Sequence, residues 1–111
     1  MTHPILTGNN FAGFIGQNAL CVVYFSGPGC AVCEQLRPKL FGLLNSEFPQ
    51  VPIAQVDCAD QKVLAAEQRV FSIPTLVIFA EGRESQRFVR SFSPTEVARQ
   101  LLRPYQLCYE N

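Results

Sequence analysis

The sequence predicts an α/β domain, with a central mixed sheet of four to five strands and helices on both faces. Three observations carry this. Residues 19–25 (ALCVVYF) and 75–80 (TLVIFA) are unbroken apolar runs of strand length, the pattern of strands buried on both sides. Other stretches carry apolar residues three to four apart, the helical period. Finally, 111 residues that are 48% hydrophobic and 16% charged are enough for one packed core, too few for two, and too apolar for a disordered chain. One domain over 1–111 is expected, with its core at about 5–103 and a tail at 104–111.

The elements follow in order. Ile5 and Leu6 suggest a small edge strand. Thr7 and Asn10 are cap-type residues ahead of Phe11, Phe14 and Ile15, which are spaced for a short helix. The strand at 19–25 ends in Ser26-Gly27-Pro28-Gly29, strong turn punctuation. A helix opens at Cys30 with Val32, Leu36, Leu40, Leu43 and Leu44 as its apolar positions, and Pro38 should kink it. Residues 51–56 read as a second strand. Asp60 is expected to cap a helix carrying Val63 and Leu64. After the strand at 75–80, Glu81-Gly82 marks a tight turn, and 86–92 reads as the antiparallel hairpin partner. Ser93-Pro94-Thr95-Glu96 is a capping box with proline at the first helical position, and Pro104 is expected to end that last helix. The first two strong strands, joined through a helix, should be parallel neighbours.

Composition narrows the function. Nine basic and nine acidic residues give a formal net charge of zero, a poor footprint for nucleic acid. No apolar run approaches the ~20 residues of a membrane span, and the N-terminal residues MTHPILTGNN lack a secretory pattern. A cytoplasmic location is expected, where free thiols are the resting state. Five cysteines, an odd number, then point to redox or metal chemistry rather than a disulfide scaffold.

That chemistry centres on Cys30-Ala31-Val32-Cys33. Two cysteines three apart at a helix start are able to close a small disulfide ring, and only the first needs to face solvent. A thiolate there meets unpaired helix N–H groups and the positive end of the dipole, a placement that lowers a cysteine pKa from about 8.5 toward ~3.5–7.5. The motif follows a buried strand and opens a helix in a βαβ pattern, the context that makes it redox-like. Structural zinc would need four ligands, and only His3, Cys58 and Cys108 are left to complete a set. Inert packing suits Cys21, a small core residue, but not Cys30 beside a Gly-Pro-Gly loop.

From about residue 5 to 103 the chain resembles the thioredoxin family. The landmarks are the strand CVVYF, the Cys30/Cys33 pair, Pro38 five residues on, the strand ending in Val56-Asp57, Ser72-Ile73-Pro74-Thr75 leading into LVIF, and the Glu81-Gly82 turn. The resemblance implies a thioredoxin-like fold and thiol–disulfide exchange, with Cys30 as nucleophile and Cys33 as resolving thiol. It also implies a cis Ile73–Pro74 bond, with Ile73 pairing to substrate backbone. Ile73, Pro74, Gly29 and Arg90 would line the substrate groove. The implied partners are a protein disulfide substrate and a reductase or small thiol for recycling. Neither nucleic acid, membrane, metal nor organic cofactor is expected beyond the Cys30–Cys33 disulfide.

The chain also departs from the family. Typical members read Trp-Cys-Gly-Pro-Cys-Lys where this one reads Gly29-Cys30-Ala31-Val32-Cys33-Glu34, and it has no tryptophan. The family's buried Asp aligns with Tyr24, its partner Lys with Ile53, and a groove Gly with Arg90. Arg83, Arg87, Arg90, Arg99 and Arg103 face only Glu84 and Glu96 between 83 and 103, either a solvated face or a site for an acidic partner. Cys58 is either a second redox thiol or a bystander, and Cys108 and His3 are given no role. Two classes of function follow: a dithiol oxidoreductase contributing to cell redox homeostasis, or a thioredoxin-fold binding module with little turnover.

Overall fold

The computed structural model describes residues 3–109. Its elements are α1 (Phe11–Gln17), β1 (Leu20–Ser26), α2 (Ala31–Glu47), β2 (Ile53–Asp57), α3 (Lys62–Glu67), β3 (Thr75–Ala80), β4 (Arg83–Val89) and α4 (Pro94–Tyr109). They build one four-stranded sheet in the order β2-β1-β3-β4. β1 and β2 are parallel, as the helical crossover between them requires; β1–β3 and β3–β4 are antiparallel. The expected N-terminal edge strand is a single parallel bridge between Ile5 and Gln55.

Every residue of β1 is buried because both faces of the sheet are covered. Alternation divides the strand between two cores. Leu20, Val22 and Tyr24 face α2 and α4, packing with Leu40, Phe41, Leu44, Val97 and Leu101. Cys21, Val23 and Phe25 face α1 and α3, packing with Phe11, Leu64 and Ala65.

Local chemistry explains most boundaries. Ser93 and Glu96 form the reciprocal capping box, each backbone N–H donating to the other's side chain at 3.2 Å. Glu81 and Gly82 both take positive φ, +54° and +77°, which makes the turn a two-residue hairpin loop. β4 therefore begins at once, at Arg83 rather than at residue 86. Asp60 does not cap α3. The N-cap is Gln61, without a side-chain bond, while the Asp57 carboxylate accepts from the N–H groups of Ala59 and Asp60.

The C-terminal residues are not a tail as far as they are described. α4 runs through Pro104 to Tyr109. Tyr105 is buried, its ring 5.1 Å from Phe48 and 5.2 Å from Tyr109, edge-on to the first and tilted to the second. Aromatic burial beyond the proline offsets the hydrogen bond it removes.

Candidate active site

The site is assembled where β1 delivers the chain to α2. Gly29 holds φ +74°, in the left-handed region that favours glycine, and its α-carbon faces open space. Cys30 is the N-cap of α2, and its sulfur accepts a hydrogen bond from the Cys33 N–H at 3.2 Å. Cys30 and Cys33 form a disulfide with their Cα atoms 5.3 Å apart. Cys33 is wholly buried, whereas Cys30 retains partial exposure. The helix N-terminus thus holds the one cysteine of the pair that solvent reaches.

A cavity of about 250 Å³ opens at this cysteine, lined by Cys30, Ala31, Val32, Ile73, Pro74, Arg90 and Ser91. The Ile73–Pro74 peptide is cis, and the Pro74 carbonyl accepts from the Arg90 N–H at 2.8 Å. Of the expected groove residues, Ile73, Pro74 and Arg90 line this cavity and Gly29 does not. Arg90 takes φ +62°, a conformation that costs an L-residue roughly 1–2 kcal/mol and glycine almost nothing. Val32, expected on the buried face of α2, is instead 54% exposed at the rim, and Cys33 and Phe41 join Leu40 and Leu44 inside.

Beneath the disulfide lies Tyr24. Its hydroxyl donates to the Cys33 carbonyl at 3.0 Å, and its ring meets Phe41 edge-on at 5.5 Å. Burial pushes the phenol up to about 12, with Arg37 opposing the shift and Glu34 adding to it. The Arg37 guanidinium sits 5.6 Å from the Tyr24 ring centroid. It is held by Glu34 at 2.8 Å, Gln55 at 2.9 Å and Ser26 at 3.0 Å. Sequence reasoning missed this arginine. Its spacing from Glu34, one helical turn back, was the only local signal. Ser26 and Gln55 reach it through the sheet.

The other thiols lie elsewhere. Cys21 is buried and pushed up to about 12 by burial; Cys58 is half-buried and pushed up to about 11 by burial and the Asp57 charge. Cys108 is exposed on α4. His3 packs against Phe41 and lies within hydrogen-bond distance of Asn45. Among the described residues no group of His, Cys, Asp or Glu is placed to hold a metal, and no helix is long and apolar enough to cross a membrane.

A four-stranded mixed sheet covered by helices, with a Cys-x-x-Cys pair at the start of α2, defines the thioredoxin-like class of fold. The thioredoxin family model matches residues 2–102, and the chain belongs to that family. It is 32% identical to the thioredoxin-like protein YdfQ of Bacillus subtilis, over 95% of this chain and 90% of that one. It is 38% identical to a protein disulfide-isomerase of Hordeum vulgare, over 72% of this chain but 17% of that longer protein. Fasciola hepatica thioredoxin superposes with a TM-score of 0.81 at 30% identity, covering 90% of this chain and 97% of that one.

Proposed function

We propose that the chain exchanges disulfides with protein partners through Cys30 and Cys33, contributing to redox homeostasis in a reducing compartment. The observation that supports this most directly is the partly exposed Cys30 at the N-terminus of α2, lining the same cavity as Ile73, Pro74 and Arg90. As a thiolate, Cys30 attacks one sulfur of a partner disulfide, and the partner's other sulfur leaves as a thiolate. Cys33 loses its proton and attacks Cys30, forming the Cys30–Cys33 bond and releasing the partner's first sulfur. Two electrons pass to the partner, whose two thiolates take up protons. A reductase or small thiol restores the dithiol, and no metal or organic cofactor enters the cycle.

A second reading, a docking module with little turnover, draws on Tyr24. Its hydroxyl is committed to the Cys33 carbonyl, so the position under the pair supplies no base. Poising the protein in glutathione mixtures and counting free thiols separates the two. Reversible conversion of the Cys30/Cys33 pair, with loss of exchange in Cys30→Ser and trapping of a mixed disulfide in Cys33→Ser, supports exchange. A pair that does not cycle overturns it in favour of the module.

A further inference from the structure

We propose that the surface beside Cys30 selects partner segments carrying carboxylates next to the target cysteine and an apolar residue beyond them. This rests on the exchange reading and adds the charge of its substrate. The Cys30 cavity does not end at Val32. A second cavity of about 260 Å³ shares Val32 and continues along the outer side of α2 between Leu36, Lys39 and Phe92. The two make one groove, apolar at Val32, Leu36 and Phe92, with a cation on each stretch of rim, Arg90 beside Cys30 and Lys39 farther along.

No carboxylate lines either cavity. The carboxylates on neighbouring elements are engaged: Glu34 with Arg37, Glu84 with Arg87, and Glu96 with the Ser93 N–H. Among the described residues, neither Arg90 nor Lys39 has an ion-pair partner. Arg90 moreover occupies a left-handed backbone position where glycine would be unstrained, and its exposed side chain makes no hydrogen bond within the described residues. A strained, unpaired cation beside a reactive sulfur fits a ligand that supplies the opposite charge. The reaction itself requires a disulfide, which a protein segment brings. Nucleic acid would meet two isolated cations on a chain of zero formal net charge, too few for its backbone.

Rim charges of this kind act mainly on association and partner choice. Each charge is worth a few-fold in either direction, so a carboxylate in place of a lysine beside the target cysteine should change the rate by about tenfold. The test uses short synthetic peptides closed by one disulfide and identical except for Asp, Ser or Lys beside the first cysteine. Reduced protein is mixed with each, quenched with acid, alkylated and read by mass spectrometry. The expected order is Asp over Ser over Lys, compressed in ~0.5 M salt, where screening is strong. Arg90→Lys should keep the order, Arg90→Gly weaken it and Arg90→Glu reverse it. Equal rates for the three peptides overturn the charge preference and leave exchange standing.

If no peptide is reduced, the exchange reading has failed, and binding decides this one. Disulfide-bonded ¹⁵N-labelled protein is titrated with the same peptides carrying Ser for Cys. Shifts at Val32, Lys39 and Arg90 that appear at lower concentration of the Asp peptide than the Lys peptide support the inference. Identical titrations overturn it.

Discussion

The hydroxyl of Tyr24 donates a 3.0 Å hydrogen bond to the backbone carbonyl of Cys33, tying the central strand to the first turn of the helix that carries the disulfide. The bond is internal and dry, since Tyr24 and Cys33 are both fully buried. A donor in such a place holds α2 in register over β1 but has no proton to exchange at neutral pH.

Removing that hydroxyl should therefore weaken the fold modestly. Tyr24→Phe keeps the ring against Phe41 and loses one neutral hydrogen bond, a cost of about 1 kcal/mol, or about 4 °C in Tm for a domain of this size. The cost should depend on pH. The phenol is raised from 10.0 to about 12, and Cys21 from 9.0 to about 12. For both, the fold prefers the neutral, protonated form. Their contribution is complete below the ordinary values and is lost as pH rises through about 9 to 12. Urea midpoints measured from pH 7 to 12 should stay level with respect to these groups up to about pH 9 and then fall. Tyr24→Phe should flatten the part of the fall above pH 10 and approach the parent at the alkaline end. A mutant curve parallel to the parent throughout would contradict this.

Thiol labelling should follow exposure and position. In the disulfide-bonded protein, iodoacetamide near neutral pH should modify Cys108, which is exposed, and spare Cys21 and Cys58, which burial holds protonated. Mild reduction should add one fast site, Cys30, at the helix terminus. Cys33, with no exposed surface, should label last of the pair. Peptide mapping by mass spectrometry checks the order, and faster labelling of Cys33 or Cys58 than of Cys30 contradicts the assignment of the nucleophile.

What the sequence reveals here depends on how local the cause is. The runs at 19–25 and 75–80 are legible because strands buried on both faces have no polar interruption to blur them, and the Ser93/Glu96 box is legible because both partners sit within one turn. β4 is not. It lies at the sheet edge as Arg-Glu-Ser-Gln-Arg, mostly exposed, with a register shift at Ile78/Phe79, so alternation gives no clean start. At the site, the Cys30/Cys33 spacing is local and visible. The clasp on Arg37 joins Ser26, Glu34 and Gln55 from three elements and becomes visible only when β1 and β2 lie side by side.

Pro104 shows the same limit, since a proline reads locally as a stop and the burial that overrides it is distant. Tyr105, just beyond it, is 6% exposed against Phe48. Tyr105→Ala should cost about 3–5 kcal/mol, the range for large aromatic truncations in a core, and loosen the end of α4. Equilibrium urea unfolding reads the first and amide exchange of residues 105–109 the second. A loss below about 1 kcal/mol would mean that the segment past Pro104 adds little to the core.

The last prediction concerns how Cys33 loses its proton. General-base help is commonly worth ~10²–10⁴-fold, and a phenol held at about 12 gives none at neutral pH. Resolution of the mixed disulfide should accordingly be slow beside relatives that place a carboxylate under the pair. Tyr24→Asp supplies that carboxylate. Ile53, opposite Val22 on the neighbouring strand, offers it no charge, but Arg37, already 5.6 Å from the Tyr24 ring centroid and fixed by three partners, does. The cation reduces the penalty of burying the new charge. It also favours the ionised form that accepts a proton. The exchanged side chain leaves a void against Phe41, so stability should fall by a few kcal/mol while resolution accelerates at least tenfold near neutral pH. Adding Arg37→Met should remove most of the gain by leaving the carboxylate protonated. Stopped-flow mixing followed by acid quench gives the resolution rates above and below neutral pH. If the parent already resolves as fast as Tyr24→Asp in folded protein, the tyrosine is no handicap and the proton leaves Cys33 by another route.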